Sequence, residues 1–367
     1  MLTSDQNRKI NEIVEEFKEA ADFYRMEYSE DLMGMFRDFG CMLLLKCKVD
    51  TEGKADLERL LEGRHKLKGT VKRQLMTVSE ELVQLWEPGE QDGSGDTGEY
   101  EGSQNVREMF QTALEEIFHF CLYSKGGKNR YLLPEETAKP LLRLLTFPEG
   151  MMAGNEGLVV LDTQCGAGSA LMAASRYLKN LRLMGYEKDE EMWAAAVIMS
   201  QLSGLEMELH LEDGARADLY ESCDLVISNP VYGTDTIKDE ELIDQLPGEL
   251  KTVRGRYHME LIRSMQALNF DGKAMLIVPN SFLFANRTES MKVRKWLLQS
   301  YSLEAIISLP EDTFMYSGVR SGVMVFSKPF MSGGWEGHTQ RVLYYNLEKQ
   351  EDKEKQQKEY ERLEEVW

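Results

Sequence analysis

The sequence predicts an α/β protein: a mostly parallel, Rossmann-like sheet wrapped by helices and preceded by an α-helical N-terminal domain. Three observations predict it. From Leu158 onward short apolar runs alternate with stretches of helical length, the texture of βαβ units. Upstream of that point apolar residues recur at spacings of three and four. At 367 residues and 42% hydrophobic content, the chain has enough apolar side chain to bury a large domain with a companion.

The N-terminal region is read first. Ile10, Ile13, Val14, Phe17, Ala20 and Phe23 form one helical stripe, and residues 3 to 87 read as helices throughout. The stretch 88–104, PGEQDGSGDTGEYEGSQ, is acidic, rich in Gly and Ser and poor in anything to bury, so it reads as a flexible loop. Helical periodicity resumes through Val106, Phe110, Leu114, Ile117 and Cys121. It stops at the Lys125–Lys128 turn and restarts after Pro134. These breaks divide the chain into a helical domain over 1–122, a second domain over 123–346 and a charged helical tail over 347–367.

In the second domain seven strands are expected, at Leu158–Leu161, Arg182–Tyr186, Glu206–Leu211, Asp224–Ser228, Lys273–Val278, Leu303–Leu309 and Gly322–Ser327. Helices are expected between the early ones, at Gly168–Asn180 and Asp189–Ser203. The tail carries so much charge that it reads as a solvated helix face.

Charge and composition exclude several classes. A formal net charge of −20, from 43 Lys and Arg against 63 Asp and Glu, argues against a chain that holds nucleic acid by bulk charge alone. No apolar run approaches the roughly 18 residues of a membrane span, and the polar start is unlike a signal peptide, so a cytoplasmic protein without membrane attachment is expected. The five cysteines are scattered, with neither a CxxC pair nor a nearby His, so no metal site is expected.

The segment 159–169, VVLDTQCGAGS, is a strand running into a glycine turn and a helix. Such a turn lets a ligand approach bare backbone, and the helix start offers unpaired N–H groups. Gly166 and Gly168 alone would equally serve tight strand-to-helix packing. Asp162 at the end of the first strand and Glu187 at the end of the second add carboxylates where folds of this kind bind ribose hydroxyls. Gly168 is followed by Ser169, Ala170 and Leu171, which is no pyrophosphate-binding GxGxxG. A cofactor with ribose and adenine but no phosphates fits better, and S-adenosylmethionine is such a molecule. Asp213, after the third strand, is positioned to accept from its adenine amino group or simply to shape an Asp-Gly turn.

The fourth strand runs into Asn229-Pro230-Val231-Tyr232. Methylating an exocyclic amino group requires acceptors for both N–H protons, because the nitrogen lone pair is delocalised into the ring. The Asn229 side-chain oxygen and the Pro230 carbonyl supply two, on a loop that proline stiffens, and Tyr232 can stack on a base turned out of its helix. An ordinary Asn-Pro turn with Tyr232 in the core is the alternative.

Taken in order, DTQCGAGS, YEKDEEMW, LEDGARAD and ISNPVYG resemble the cofactor and catalytic motifs of N6-adenine DNA methyltransferases of the gamma arrangement. Downstream, HMELIRSMQALNFDGKAMLIVPNSFLF and LEAIISLPEDTFMYSGVRSGVMVFSK resemble the modification subunit of type I restriction systems and related N-6 DNA methylases. The resemblance covers about residues 125–328. It implies an S-adenosylmethionine-dependent methyltransferase sheet with an antiparallel last strand, a DNA substrate, and catalytic roles for Asn229, Pro230 and Tyr232. It implies cofactor binding by Asp162, Cys165, Gly166, Gly168, Glu187, Asp213 and Asn229. It also places Tyr131 and Pro134 in a segment closing over the methionine part of the cofactor.

Three positions depart from the family pattern: Val231 where a second proline is usual, Leu133 where Thr or Ser is usual, and Thr163 where a proline follows the aspartate. No stretch after Lys328 is long enough for a target-recognition domain, so a separate specificity subunit or a missing target-recognition region is the expected partner. Two other readings stay open: a protein-glutamine or RNA amino-group methyltransferase, and a decayed cofactor-binding assembly subunit.

Overall fold

The computed structural model describes residues 2–28, 32–49, 59–61, 67, 69–86, 98–124, 132–145, 157–220, 222–233, 235–311, 313–314, 319–328, 341–348, 350 and 353–366. The chain divides into two compact units, one of residues 1–127 with 194–205, the other of residues 128–193 with 206–367.

The first unit is helical. Helix α1 (Ser4–Tyr28) buries Ile10, Ile13, Val14, Phe17, Ala20, Ala21 and Tyr24. The expected stripe is there except at its end: Phe23 is 41% exposed and Tyr24 takes its place. The 3.6-residue period explains this, since seven residues on from Phe17 is Tyr24. Helix α2 (Leu32–Lys46) is buried along most of its length. Its Gly40 meets the segment 194–205, and a Cβ there would stand 2.5 Å from Ile198 Cδ1. Helix α3 (Gly69–Trp86) and helix α4 (Gly98–Tyr123) belong to this unit too, together with residues 194–205. Gly98–Gln104, read from sequence as loop, belongs to α4, whose Glu and Gln content is compatible with helix. Residues 88–97 of that reading lie outside the described residues.

The second unit is built on one eight-stranded sheet in the order β3-β2-β1-β4-β5-β7-β6-β8. Its strands are β1 (Leu158–Asp162), β2 (Leu181–Glu187), β3 (Met207–Leu211), β4 (Cys223–Ser228), β5 (Leu268–Pro279), β6 (Ser302–Ser308), β7 (Ser321–Ser327) and β8 (Leu343–Asn346). Strands β1 to β5 pair in parallel, and β7 runs antiparallel to β5 and β6, as expected. Strand β8 was not legible in the sequence: it is four residues long, with Tyr344 63% exposed, too short for its alternation to register. The apolar faces of β4, β5 and β7 are the centre of the core, with Val226, Leu276, Met324 and Phe326 each at most 3% exposed.

Helices α5 (Glu135–Arg143), α6 (Ser169–Tyr177), α7 (Glu190–Ser203) and α8 (Glu240–Asp244) come before the fifth strand. So does α9 (Arg256–Gln266), while α10 (Asn280–Phe284), α11 (Thr288–Ser300) and α12 (Lys353–Val366) follow it. In the charged tail Leu363 is buried, and Tyr345 donates to Glu359 at 2.9 Å, so α12 is more than a solvated face. No described helix is long and apolar enough to cross a membrane.

The chain runs outward through β1, β2 and β3, then returns to place β4 on the other side of β1. Strands β1 and β4 are neighbours at this reversal of strand order, and in open α/β sheets the carboxyl ends of such strands are where a ligand crevice forms. Every sequence-predicted site residue on β1 to β4 lies at that edge.

Candidate active site

The turn after β1 is left-handed twice, at Gly166 (φ +56) and Gly168 (φ +79), a conformation that Cβ-bearing residues avoid. Gly168 caps the start of α6, and its N–H donates to the Cys165 carbonyl at 2.8 Å. Cys165 N–H donates to the Tyr186 carbonyl at 2.9 Å, which fastens the turn to β2. Glu187, closing β2, uses both carboxylate oxygens: Oε2 accepts from Gly166 N–H at 3.0 Å and Oε1 from Asp189 N–H at 2.7 Å. An ionised carboxylate has about four acceptor directions, so it can still take ribose hydroxyls.

Asp162 is 2% exposed, and its Oδ1 accepts from Gln164 N–H at 3.0 Å. Burial, reinforced by the neighbouring Glu187 charge, pushes its carboxyl up to about 7. Burial raises the Glu187 carboxyl as well. The Cys165 thiol is held far up by burial and by both acids, which makes it an inert structural side chain.

Asp213 is brought to the same turn by a glycine that has no alternative. A Cβ on Gly214 would stand 2.3 Å from the Thr163 carbonyl oxygen and 2.9 Å from Tyr186 Cβ. Asp213 Oδ1 accepts from Ala215 N–H at 3.2 Å, and its Oδ2 lies 3.0 Å from Arg256 Nη1. Arg256 also reaches Glu260 Oε1 at 3.2 Å, and burial pushes that carboxyl up to about 7.

Thr163, the departure from the expected proline, is 1% exposed, and its hydroxyl is used. It pairs with Ser264 Oγ at 2.5 Å and accepts from Gln164 Nε2 at 2.6 Å, tying the turn to α9. Leu133, another departure, is a core residue at 3% exposure. Pro134 caps α5 through its carbonyl, which accepts from Thr137 and Ala138. Tyr131 lies outside the described residues.

On the other side of the crevice, Asn229 follows β4 with its Oδ1 buried, Pro230 is buried, and Val231 is 43% exposed. Tyr232 donates to Ser321 Oγ at 3.4 Å, joining the loop to the start of β7. Tyr257, near the start of α9, meets Tyr232 edge to face at 5.7 Å between ring centres. The structure thus brings together Asp162, Cys165, Gly166, Gly168, Glu187 and Asp213 on one wall. It places Asn229, Pro230 and Tyr232 after the adjacent strand.

From sequence, α9 entered only through Arg256 and Arg263 as weak candidates for phosphate contact and through the family resemblance of its segment, and not as a wall of the site. Arg256, Tyr257, Glu260 and Ser264 all face this region, at spacings that read as one face of an ordinary amphipathic helix. Their polarity at positions four apart, Arg256, Glu260 and Ser264, was the available signal, since Glu260 and Ser264 are buried and buried polar residues are uncommon without a partner.

Comparison with known proteins bears on this arrangement. The N-6 DNA Methylase family profile matches residues 107–366. The methylase subunit of type I restriction enzyme MjaVII from Methanocaldococcus jannaschii is 24% identical over 298 residues, 74% of this chain and 47% of that protein. The type II restriction enzyme and methyltransferase RM.BcgI of Heyndrickxia coagulans is 26% identical over 213 residues, 53% of this chain and 31% of that protein. The chain therefore spans about half or less of the length of these relatives.

Among solved structures, a Listeria monocytogenes protein assigned to the class I S-adenosylmethionine-dependent methyltransferases superposes with a TM-score of 0.67 at 18% identity, covering 98% of both chains. The methyltransferase subunit of a type I restriction-modification system from Streptococcus thermophilus gives 0.56 at 16% identity, covering 97% of this chain and 92% of that one. At these identities the superpositions speak for the shared fold.

Proposed function

The chain belongs to the N-6 DNA methylase family, and from that premise we propose that it is an S-adenosylmethionine-dependent DNA methyltransferase acting on the exocyclic amino group of a flipped adenine. The observation that carries the proposal is the placement of two unlike walls on adjacent strands. One is a glycine turn flanked by the buried Asp162 and the half-buried Glu187, the other an Asn-Pro-Val-Tyr loop.

The first wall fits S-adenosylmethionine. Gly166 and Gly168 leave bare backbone in the turn, and a Cβ at Gly166 would already approach Met192 Cε at 3.6 Å. Glu187 is held by two backbone N–H groups in position to accept from ribose hydroxyls. Asp162 fixes the turn through Gln164, and Asp213 is the acceptor available to the adenine amino group. When bound, S-adenosylmethionine supplies a methyl group on a positively charged sulfur.

The second wall handles the nitrogen that receives the methyl. Asn229 Oδ1 and the Pro230 carbonyl accept its two N–H protons and favour a pyramidal geometry with an available lone pair. Tyr232 stacks on the base once it leaves the duplex. Catalysis is then chiefly positioning and electrostatics, without an enzyme nucleophile.

The relatives named above belong to restriction systems, and one is a subunit, so we place this chain with a separate specificity component that selects the DNA sequence. The test is tritium transfer from labelled S-adenosylmethionine into unmethylated duplex DNA, with digestion to nucleosides. Label in N6-methyladenine supports the proposal, and label recovered only in protein or RNA overturns it.

A further inference from the structure

We infer that the Tyr257 hydroxyl is a substrate-binding group that hydrogen-bonds a ring nitrogen of the target adenine. This rests on the proposed function above and extends it to a residue outside the Asn-Pro-Val-Tyr loop.

Tyr257 is 6% exposed, and its hydroxyl is buried with no hydrogen-bond partner among the described residues. Buried tyrosine hydroxyls are normally satisfied, because leaving water without a partner is costly. Phenylalanine would fill the same space without that cost. The ring meets three others edge to face, Tyr232 at 5.7 Å, His258 at 5.4 Å and Phe282 at 5.9 Å between ring centres. Burial, with the Tyr232 phenol and Glu260 nearby, keeps the phenol protonated and therefore a donor at neutral pH.

Its surroundings identify the acceptor's class. Tyr232, its neighbour, is the residue that would stack on the base, and Asn280 at the end of β5 presents a second buried side-chain oxygen with no partner among the described residues. An aromatic ring beside a phenolic donor suits a planar heterocycle whose ring nitrogens accept hydrogen bonds. Adenine is such a ring. The side chain neither joins the Thr163–Ser264 pairing nor caps a helix, so no structural duty accounts for its oxygen.

The test is Tyr257→Phe in the full chain, read in three ways. In the ligand-free protein the substitution removes an unsatisfied oxygen, so Tm rises, by about 2 °C. With mixed-sequence duplex DNA as substrate, KM for DNA rises about tenfold while the affinity for S-adenosylhomocysteine, by calorimetry, stays within twofold. With DNA in which adenine is replaced by its 1-deaza, 3-deaza or 7-deaza analogue, one analogue costs the wild type about as much as the mutation does, and costs the Phe variant nothing further.

A fall in Tm overturns the inference, because the hydroxyl would then have a structural partner. So does an unchanged KM, or equal sensitivity of both proteins to all three analogues. Absence of methyl transfer by wild type to any adenine overturns the proposed function itself, and is distinguishable because the variant is then never the point of difference.

Discussion

The loops after β1 and β2 and the loop after β4 lie at one edge of one sheet, yet their polar groups are in opposite conditions. On the cofactor side each carboxylate already has backbone partners: Asp162 has Gln164, Glu187 has Gly166 and Asp189, and Asp213 has Ala215. On the proposed substrate side the Tyr257 hydroxyl is buried with no hydrogen-bond partner among the described residues, and Tyr232 makes a long 3.4 Å bond to Ser321. The first wall is held by its own backbone, whereas the second includes a buried phenol without a partner among the described residues, and a buried polar group in that condition costs stability.

The comparison breaks most sharply at Asn229. Asn229→Ala is expected to lower kcat for methyl transfer by about 10²–10³-fold, the scale for deleting one preorganised polar group that acts on the reacting atom. Binding of S-adenosylhomocysteine should persist within about threefold by calorimetry. Loss of both would mean that the two walls are not separable.

Glu187→Ala is the converse. It should weaken S-adenosylhomocysteine about 10- to 100-fold, since hydrogen bonds to a charged group are worth roughly 1.5–3 kcal/mol. Near-wild-type affinity would remove the carboxylate from the cofactor site.

Gly214→Ala tests whether the cofactor wall is rigid. With backbone only 2.3 Å from the new Cβ, stability by urea titration should fall by about 1–3 kcal/mol. Gly248→Ala is the control, with nothing within 4 Å, and should stay within about 0.5 kcal/mol.

The smallest effect is a pH slope. The Asp162 carboxyl is raised from 3.8 to about 7, so between those values the folded state binds more protons than the unfolded one. Stability must therefore fall as pH rises through that window and level off above it. Asp162→Asn should flatten the slope, by about 1 kcal/mol or more between pH 5 and 7.5, since one pKa unit is worth about 1.4 kcal/mol. Glu187 and Glu260, raised in the same direction, leave a residual slope in the variant. An unchanged slope would show that Asp162 is not the group responsible.

Much of the fold was legible because its signals are local. The strands β1 to β7 are runs of apolar residues between turn residues, and the left-handed turn needs Gly166 and Gly168 in sequence. Strand β8 and the first turns of α4 were missed because four half-exposed residues, or a helix start among Gly and Ser, carry too little local preference. Asp162 and Glu187 were legible as candidates because each closes a strand, and Asn229 because it directly follows one, positions set by the sequence. Thr163 was seen only as a missing proline. Its partner Ser264 is 101 positions away, and nothing local links the two.

The sequence by itself determined the order of strands and helices, the glycine turn, and the residues that end each strand, because backbone preference and apolar periodicity are properties of neighbours in the chain. Only the tertiary structure decided which side chains face the crevice from elsewhere. Arg256 reaching Asp213, Ser264 satisfying Thr163, and Tyr257 packing beside Tyr232 all depend on α9 lying against β4 and β5. Burial and hydrogen-bond satisfaction are relations between residues distant in sequence, so they exist only once the sheet has formed.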